Sequence, residues 1–389
     1  MAVALRRQKR LDRRWGEAGS SIGAALFRAC SCFKRNGWSF LWKSTAVIFL
    51  VVSINVFFLD PNDPFARPFC DANGKCHEKP YKASPRTAYS AWNKKQYDLW
   101  WKYYEELIER VDRYAEKRQK IYDSEKDHKN SNRSRPLILL GDSITEAWSG
   151  TGLGVHKFRA EGVPEVLEKA LTSSPLGLDP IILGESGDQT QHLLYRLDHD
   201  HMRAAQLKTT SSPEGKTVVG YDPSAIFVVM IGTNNLGSGE LPEPTAKGIL
   251  AVVDYILRET AEAGSHVMLF NVLPRGDGPT NLKKLCPPRC SDDEKLIPYS
   301  SFMPAIVKTN EAVAKGIQEL SKTHPGRIKH VNCDAGFMNE NYDKANTNGD
   351  DNYEVKKELM PDLLHPNAEG HEKLAQCIKD YINEIDGEN

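Results

Sequence analysis

Four short blocks of the chain carry side chains that together could cleave an acyl bond. In chain order they contain Gly141-Asp142-Ser143, Gly187, Asn234 and Asp362-Leu-Leu-His365. Acyl transfer needs a nucleophile, a base, an acid that orients the base, and hydrogen-bond donors for the oxyanion that develops. A serine, a histidine, an aspartate and two groups of donors are all present in these blocks. The chemistry indicated is therefore attack of a serine on a carbonyl carbon.

The spacing of Asp362 and His365 favours a base held by its acid. A carboxylate three residues before the histidine can reach the near imidazole nitrogen and leave the far one for Ser143. The backbone N–H of Gly187 and the amide of Asn234 are the candidate donors. Each piece also has a structural explanation. Gly-Asp-Ser and Gly187 occur in ordinary turns, Asn234 could cap a helix, and His365 could be a hydrogen-bonded loop histidine.

Alternating strands and helices would place these blocks at one edge of a sheet. Apolar runs of strand length are Leu137–Leu140, Ile181–Leu183, Ala225–Ile231, Val267–Phe270 and Ile328–Val331. Helical patterns lie near Val163–Leu171, Thr190–Leu197, Thr245–Ala263, Met303–Leu320 and Asn367–Ile385. Alternation of this kind predicts an α/β domain whose parallel sheet is covered on both faces. Ligands of such sheets bind beyond the carboxyl ends of the strands.

The composition is that of a globular protein with no general attraction for nucleic acid. The chain has 389 residues, 26% of them charged and 40% hydrophobic, with a formal net charge of -1. The apolar fraction is large enough for a substantial core. The near-neutral charge gives no reason to expect a nucleic-acid partner.

The amino-terminal part has the pattern of a membrane anchor. Residues 1–43 form a basic tail with only two acidic residues, Asp12 and Glu17, and residues 44–59 carry no charge. Trp38, Phe40, Leu41 and Trp42 extend the apolar stretch towards the roughly 20 residues that span a bilayer. The positive-inside bias predicts a type II signal anchor with a cytosolic amino terminus and a lumenal or extracellular domain, in the endomembrane system or at the cell surface. A cleaved signal peptide and a buried core helix are the alternatives.

Cysteine usage fits an oxidising compartment. Cys70 and Cys76 flank a turn, and Cys286 and Cys290 form a second close pair, so both pairs are candidate disulfides. For Cys333 and Cys377 free buried thiols are the simpler expectation. The absence of Cys-x-x-Cys pairs argues against zinc, and no metal or other cofactor is expected. A glycosylation sequon, Asn132-Arg133-Ser134, predicts a glycoprotein if this part is lumenal.

The region before the predicted sheet divides into two parts. Residues 60–88 are rich in proline and polar residues and are interpreted as a stem. Residues 89–122 place aromatic and aliphatic side chains three and four apart, which predicts an amphipathic helix that packs on the catalytic domain. The domain itself is assigned to 136–389.

The four blocks resemble those of the SGNH (GDSL) hydrolases. Longer matches resemble the branch that contains the platelet-activating-factor acetylhydrolase catalytic subunits. They are Gly187 to Leu197, Val229 to Asn235, Leu273 to Gly276 and Asp334 to Phe337. The resemblance extends over residues 136–385. It implies a three-layer α/β/α, flavodoxin-like sandwich and ester hydrolysis without a metal.

The resemblance also implies a role for each site residue. Ser143 would be the nucleophile, His365 the general base and Asp362 its orienting acid. The N–H groups of Ser143 and Gly187 and the Asn234 amide would form the oxyanion hole. Asp142 would support the nucleophile, because a carboxylate that accepts hydrogen bonds in this turn can fix the serine rotamer.

The expected function is a membrane-anchored serine ester hydrolase that acts on a short-chain acyl ester of a lipid or a carbohydrate. A lumenal carbohydrate O-acetylesterase is one alternative. The other is an inactive domain of the same fold that binds an acyl or sugar ligand. A homodimer is an open alternative to a monomer.

Overall fold

A parallel sheet of five strands lies at the centre of the fold. In the computed structural model its strand order is β4-β1-β7-β8-β9. The strands are β1 Arg135–Gly141, β4 Leu178–Gly184, β7 Ile226–Met230, β8 His266–Phe270 and β9 Ile328–Val331. The second strand along the chain, β4, lies on one side of β1, and the third, β7, lies on the other side. This is the doubly wound, flavodoxin-like arrangement. The point where the order reverses lies at β1.

The structure describes residues 76–91, 93–125, 134–210, 217–276, 302–339 and 355–387. The basic tail, the predicted anchor at 44–59, the close cysteine pair near 290 and the sequon at Asn132 lie outside these ranges. Among the described residues, no helix combines the length and apolarity needed to cross a membrane.

Helices flank the sheet and give the predicted α/β sandwich. They are α1 Lys94–Glu125, α2 Ser143–Glu146, α3 Val163–Leu167, α4 Thr190–His199, α5 Thr233–Ser238, α6 Pro242–Glu259, α7 Met303–Thr323 and α8 Ala368–Gly387. A π-helical turn, Glu168–Thr172, continues α3. Two antiparallel hairpins accompany the sheet, β2 Thr151–Gly152 with β3 Val155–His156, and β5 Gln206–Thr210 with β6 Thr217–Tyr221.

The interior strands β1 and β7 are apolar because they are buried on both faces. Every residue of β7 is buried, and so are the residues of β1 after Arg135. Strands of a parallel sheet with two covered faces are continuous hydrophobic runs, whereas alternation would mark a sheet with one wet face. The apolar runs in the sequence therefore correspond to the strands of this sheet.

The long helix α1 belongs to the core of the sheet domain. Its buried side chains follow the three-and-four spacing of an amphipathic helix and include Trp100, Tyr103, Leu107, Val111 and Tyr114. The Tyr114 hydroxyl donates to the carbonyl oxygen of Asp179, at the start of β4, over 2.7 Å. The helix predicted over 89–122 is thus present with bounds shifted by a few residues, and it packs on the sheet domain.

The segment interpreted as a stem, residues 60–88, is packed against the domain in its described part. Glu78 and Arg86 are only 8% and 2% exposed. Glu78 accepts hydrogen bonds from Thr87, Gln191 and His192. These contacts are polar, so they leave no apolar period by which the sequence could have revealed the packing.

The expectation of free thiols at Cys333 and Cys377 was wrong. Their sulfurs form a disulfide that joins the turn after β9 to α8, with the Cα atoms 6.7 Å apart. The two cysteines are 44 residues apart in the chain, so only the tertiary fold brings them together. Cys76 is also disulfide-bonded, while Cys70, its predicted partner, lies outside the described residues.

Candidate active site

Ser143 lies just beyond the carboxyl end of β1, an interior strand between β4 and β7. The chain leaves β1 at Gly141 and enters α2 at Ser143, and the carboxylate of Asp142 caps this helix by accepting the Ile144 N–H over 3.0 Å. Asp142 is 1% exposed. Burial raises the pKa of its carboxyl to about 7, against the opposing effect of the Ile144 hydrogen bond. The predicted supporting residue therefore holds the backbone around the serine in place.

A continuous hydrogen-bonded chain joins Ser143 to His365 and Asp362. Ser143 Oγ lies 2.9 Å from His365 Nε2, and His365 Nδ1 lies 2.7 Å from Asp362 Oδ2. Asp362 Oδ1 also accepts the backbone N–H groups of Leu364 and His365, at 3.1 and 2.7 Å. One carboxylate thus fixes both the ring and the backbone of the histidine.

The protonation states suit a base that receives a proton from the serine. Burial alone would raise the pKa of Asp362, but the hydrogen bonds and charge of His365 and the Leu364 N–H lower it to about 2. Asp362 is therefore an anion that can only accept, so Nδ1 of His365 carries the hydrogen and Nε2 is free. Burial lowers the pKa of His365 from its usual value of 6.5, and the charges of Arg159 and Arg275 act in the same direction, while Asp362 opposes them.

Contacts from two other elements dock the loop that carries Asp362 and His365. Leu363 has a left-handed backbone, with φ of 64°, and its carbonyl accepts the Gly276 N–H over 2.8 Å. On the other side, His371 of α8 lies with Nε2 3.1 Å from the carbonyl oxygen of Ile144 in α2. The Gly276 bond therefore docks the histidine loop itself, and the His371 contact ties the helix that follows this loop to the helix that begins at Ser143.

The loop after β4 brings Gly187 to the same edge of the sheet. β1 and β4 pair in parallel with Gly141 opposite Gly184, so the residues that follow both strands emerge side by side. A Cβ atom on Gly184 would lie 2.3 Å from the Glu146 nitrogen, which explains why a glycine ends this strand. Gly187 has φ of 83°, a conformation that favours glycine. Among the described residues, no acceptor takes the backbone N–H of Gly187 or of Ser143.

Asn234 follows β7, the neighbour of β1 on the other side. Its side-chain Nδ2 donates to the carbonyl oxygen of Asp188 over 2.9 Å, which joins it to the residue after Gly187. The N-cap of α5 is Gly232, and no side chain caps this helix. The amide has a second N–H that this bond does not use. The structure thus brings the Asn234 amide beside the Gly187 loop and excludes helix capping as its role.

Several residues that support the site were missed in the sequence. Glu146 is fully buried and accepts hydrogen bonds from Thr151, Gly154 and both the N–H and hydroxyl of Ser186. Its position three residues after Ser143 was the only feature of the sequence that could have indicated a role in the site. It holds the loop of Gly187 against the helix that begins at Ser143.

A buried ion pair between Arg196 and Asp188 also supports the Gly187 loop. Arg196 donates from Nε to Asp188 Oδ2 over 2.8 Å and from Nη2 to the carbonyl oxygen of Gly141 over 3.1 Å. Arg275, whose role could not be predicted from the sequence, donates to the carbonyl of Thr233 over 3.1 Å and stacks on Phe302. Both arginines therefore fix backbone that flanks a predicted site residue.

No group of three or more histidine, cysteine or acidic side chains that could hold a metal ion occurs in the described ranges. The groups that meet at this edge are instead those needed for proton transfer and for stabilising a negative oxygen.

A flavodoxin-like sandwich with a serine, a histidine and an aspartate in hydrogen-bonded sequence at its strand ends is the arrangement expected of a serine hydrolase. The chain belongs to the GDSL-like lipase/acylhydrolase family, whose model matches residues 137–378. The resemblance to the SGNH (GDSL) hydrolases is thereby confirmed. The segment 76–91 and the whole of α1 precede the matched region.

The individual proteins that resemble this chain share low sequence identity with it or match only part of it. The chain is 30% identical over 107 residues to the platelet-activating factor acetylhydrolase IB subunit alpha1 of Bos taurus, which covers 28% of this chain and 37% of that protein. Solved structures similar to this chain include a GDSL-like lipase from Bacteroides thetaiotaomicron. The identity is 17% and the TM-score 0.41, and the match covers 70% of this chain and 98% of the lipase. Another is Axe2, an acetylxylan esterase from Geobacillus stearothermophilus, with 16% identity, a TM-score of 0.40 and coverage of 64% and 94%.

Proposed function

We propose that the protein is a serine ester hydrolase that uses Ser143, His365 and Asp362 on a short-chain acyl ester of a lipid or a carbohydrate. The observation that carries this proposal is the chain of two short hydrogen bonds from Ser143 Oγ through His365 to Asp362. Membership of the acylhydrolase family supports the same reaction class.

In this reaction Ser143 Oγ attacks the ester carbonyl carbon while His365 Nε2 takes the hydroxyl proton. Asp362 stabilises the imidazolium that forms. The carbonyl oxygen becomes negative and is held by the N–H groups of Ser143 and Gly187 and by the Asn234 amide. The C–O bond to the alcohol then breaks, and His365 gives the proton to the departing oxygen. Water deacylates the serine through the same steps, releasing the acid and restoring the hydroxyl.

The direct test is hydrolysis of p-nitrophenyl acetate by the full-length chain in detergent, together with labelling by a fluorophosphonate. We expect turnover, and we expect the label on the peptide that contains Ser143. Absence of turnover and of labelling in a folded preparation would mean a binding domain without catalysis.

The alcohol of the substrate can be identified by comparing acetylated xylo-oligosaccharides with acetyl-phospholipids at equal ester concentration. The partial match to a platelet-activating factor acetylhydrolase subunit makes an acetyl-phospholipid one arm of the comparison. A kcat/KM at least ten times higher for one arm would assign the substrate class. A lumenal carbohydrate O-acetylesterase requires the carbohydrate arm to prevail.

The membrane anchor remains part of the proposal. Basic residues before Ser44 and the uncharged segment 44–59 support a type II orientation in which the hydrolase domain and Asn132 are lumenal or extracellular. In sealed microsomes, added protease should leave the hydrolase domain intact, and a glycosidase should shift the mass of the wild type but not of Asn132→Gln. Digestion of the domain in intact vesicles would contradict this topology.

The lowered pKa of His365 predicts the pH dependence of activity. Only neutral His365 can accept the serine proton, so kcat/KM should be lost as the pH falls through the pKa of this residue. Because burial and two arginines lower that pKa, activity should persist below pH 6.5, the ordinary value. The midpoint of the acid limb should move upwards in Arg159→Gln, since one of the positive charges that disfavour the imidazolium is removed. Arg203→Gln, which alters an arginine paired with Asp112 and Asp200, should leave the midpoint in place.

A further inference from the structure

The chain before the family domain contacts the candidate oxyanion loop directly. Arg86 Nη1 donates to the carbonyl oxygen of Ser186 over 3.2 Å. This carbonyl belongs to the same peptide group as the N–H of Gly187. The guanidinium therefore binds one end of the peptide whose other end is the candidate oxyanion donor.

Arg86 is enclosed at this position. It is 2% exposed, and a Cβ atom on Gly187 would lie 2.5 Å from its Nη2. Its guanidinium lies 5.5 Å from the ring centre of Trp100, and Trp100 Nε1 donates to Asp188 Oδ1 over 2.9 Å. Arg86 is less exposed than Ser143 and donates to the Ser186 carbonyl, so its effect on a substrate would be exerted through the Gly187 peptide.

The segment around Arg86 is held by further contacts with α4. Pro80 accepts the Thr190 hydroxyl over 2.8 Å, and the Ser84 N–H donates to the carbonyl of Gln191 over 3.1 Å. Glu78 accepts from Gln191 and His192 at 2.9 Å each. These bonds fix the segment to the helix that directly follows the Gly187 loop.

A charged donor on a peptide carbonyl has a predictable effect on the N–H of that peptide. Hydrogen bonds in series polarise one another, and this is strongest in a buried site of low dielectric. A guanidinium bond to the Ser186 oxygen draws electron density from the peptide and makes the Gly187 N–H a stronger donor. It also fixes the direction of that N–H before the substrate binds, which is how preorganised donors stabilise an oxyanion.

We propose that Arg86 is a positioning residue for ester hydrolysis that orients and polarises the Gly187 N–H of the oxyanion hole. The inference rests on the proposed function and extends its machinery to a segment that precedes the family domain. The effect should be largest in the transition state, where the carbonyl oxygen carries its greatest charge.

The test compares Arg86→Met with Arg110→Met in the full-length chain. Arg110 of α1 is the matched control, because it also donates to a backbone carbonyl of the β4 region, Ile182 at 2.9 Å, but not to the Gly187 peptide. We expect Arg86→Met to lower kcat by about ten- to a hundredfold with KM nearly unchanged, the range for a charge-assisted hydrogen bond. Arg110→Met should keep kcat within about twofold of the wild-type value, because this substitution lies away from the reacting groups.

A transition-state mimic separates positioning from general packing. A trifluoromethyl ketone forms a tetrahedral oxyanion adduct with a serine nucleophile, so its inhibition constant should rise in Arg86→Met by the factor by which kcat/KM falls. Arg86→Lys keeps one charged donor and should recover part of the lost kcat; it also serves as the test if Arg86→Met does not fold. Three results would overturn the role of Arg86. The first is a wild-type kcat in a folded Arg86→Met variant, and the second is an equal loss of kcat in Arg110→Met. The third is a loss of kcat in Arg86→Lys as large as that in Arg86→Met. Absence of turnover in the wild type would instead refute the proposed function.

Discussion

Ser143→Ala should reduce ester hydrolysis to background while leaving the fold intact. The hydroxyl is the nucleophile in the proposed reaction, and it is the described group hydrogen-bonded to His365 Nε2. Removing the serine of a comparable triad costs on the order of 10⁶ in kcat. The variant retains the backbone N–H of residue 143, so only the oxygen and its bond to His365 are lost. The measurement is kcat for p-nitrophenyl acetate with fluorophosphonate labelling and a thermal melt.

Ser149→Ala is the matched control for this experiment. Ser149 lies six residues further on, in the turn after α2, and its hydroxyl accepts a bond from Arg110 over 3.3 Å. It is not part of the proposed reaction, so its variant should keep turnover and labelling. Turnover by a clean Ser143→Ala preparation would rule out Ser143 as the nucleophile.

The sequence was most informative where local pattern and burial coincide. Continuous apolar runs predicted four of the five strands of the central sheet, because a strand covered on both faces has no polar alternation. The edge strand β9 carries Lys329 and His330 between its apolar ends and is only half-buried. The strand predicted at Ile328–Val331 has the same bounds in the structure, and the one predicted at Ile181–Leu183 extends to Leu178–Gly184. The site residues could be predicted from the sequence for a related reason. Each follows a strand or precedes a helix, and parallel strands gather such positions at one edge.

Residues that act through tertiary contacts could not be predicted in the same way. Glu78 and Arg86 stand in a polar, proline-containing segment that has the composition of a solvated stem. Their hydrogen-bond partners lie a hundred or more residues further on, at Ser186 for Arg86 and at His192 for Glu78. The Cys333–Cys377 disulfide has the same origin, since α8 must dock beside the end of β9 before the sulfurs meet. Long-range polar pairing leaves no period in a single sequence.

Asn234→Ala should lower kcat by about 10² to 10³ with KM nearly unchanged. Losing one side-chain donor from an oxyanion hole typically has this effect, equal to roughly 3–4 kcal/mol of barrier. The amide strengthens its hydrogen bond when the carbonyl oxygen becomes charged, so its contribution falls on kcat. The bond to the Asp188 carbonyl is also lost, and this should destabilise the fold by only about 1 kcal/mol, since the site is partly exposed. Steady-state kinetics and thermal melts measure the two effects separately.

Asn235→Ala provides the opposite pattern on the adjacent residue. Asn235 is fully buried, its Oδ1 accepts the Thr190 N–H over 3.0 Å, and its Nδ2 lies 3.2 Å from both Thr190 Oγ1 and Gln191 Oε1. Its removal leaves buried partners unsatisfied and should lower the melting temperature by more than Asn234→Ala does, with the smaller loss of kcat. If Asn234→Ala instead melts earlier and turns over normally, Asn234 holds the Asp188 carbonyl for structural reasons alone. The oxyanion would then be bound by the N–H groups of Ser143 and Gly187 without a side-chain donor from the segment after β7.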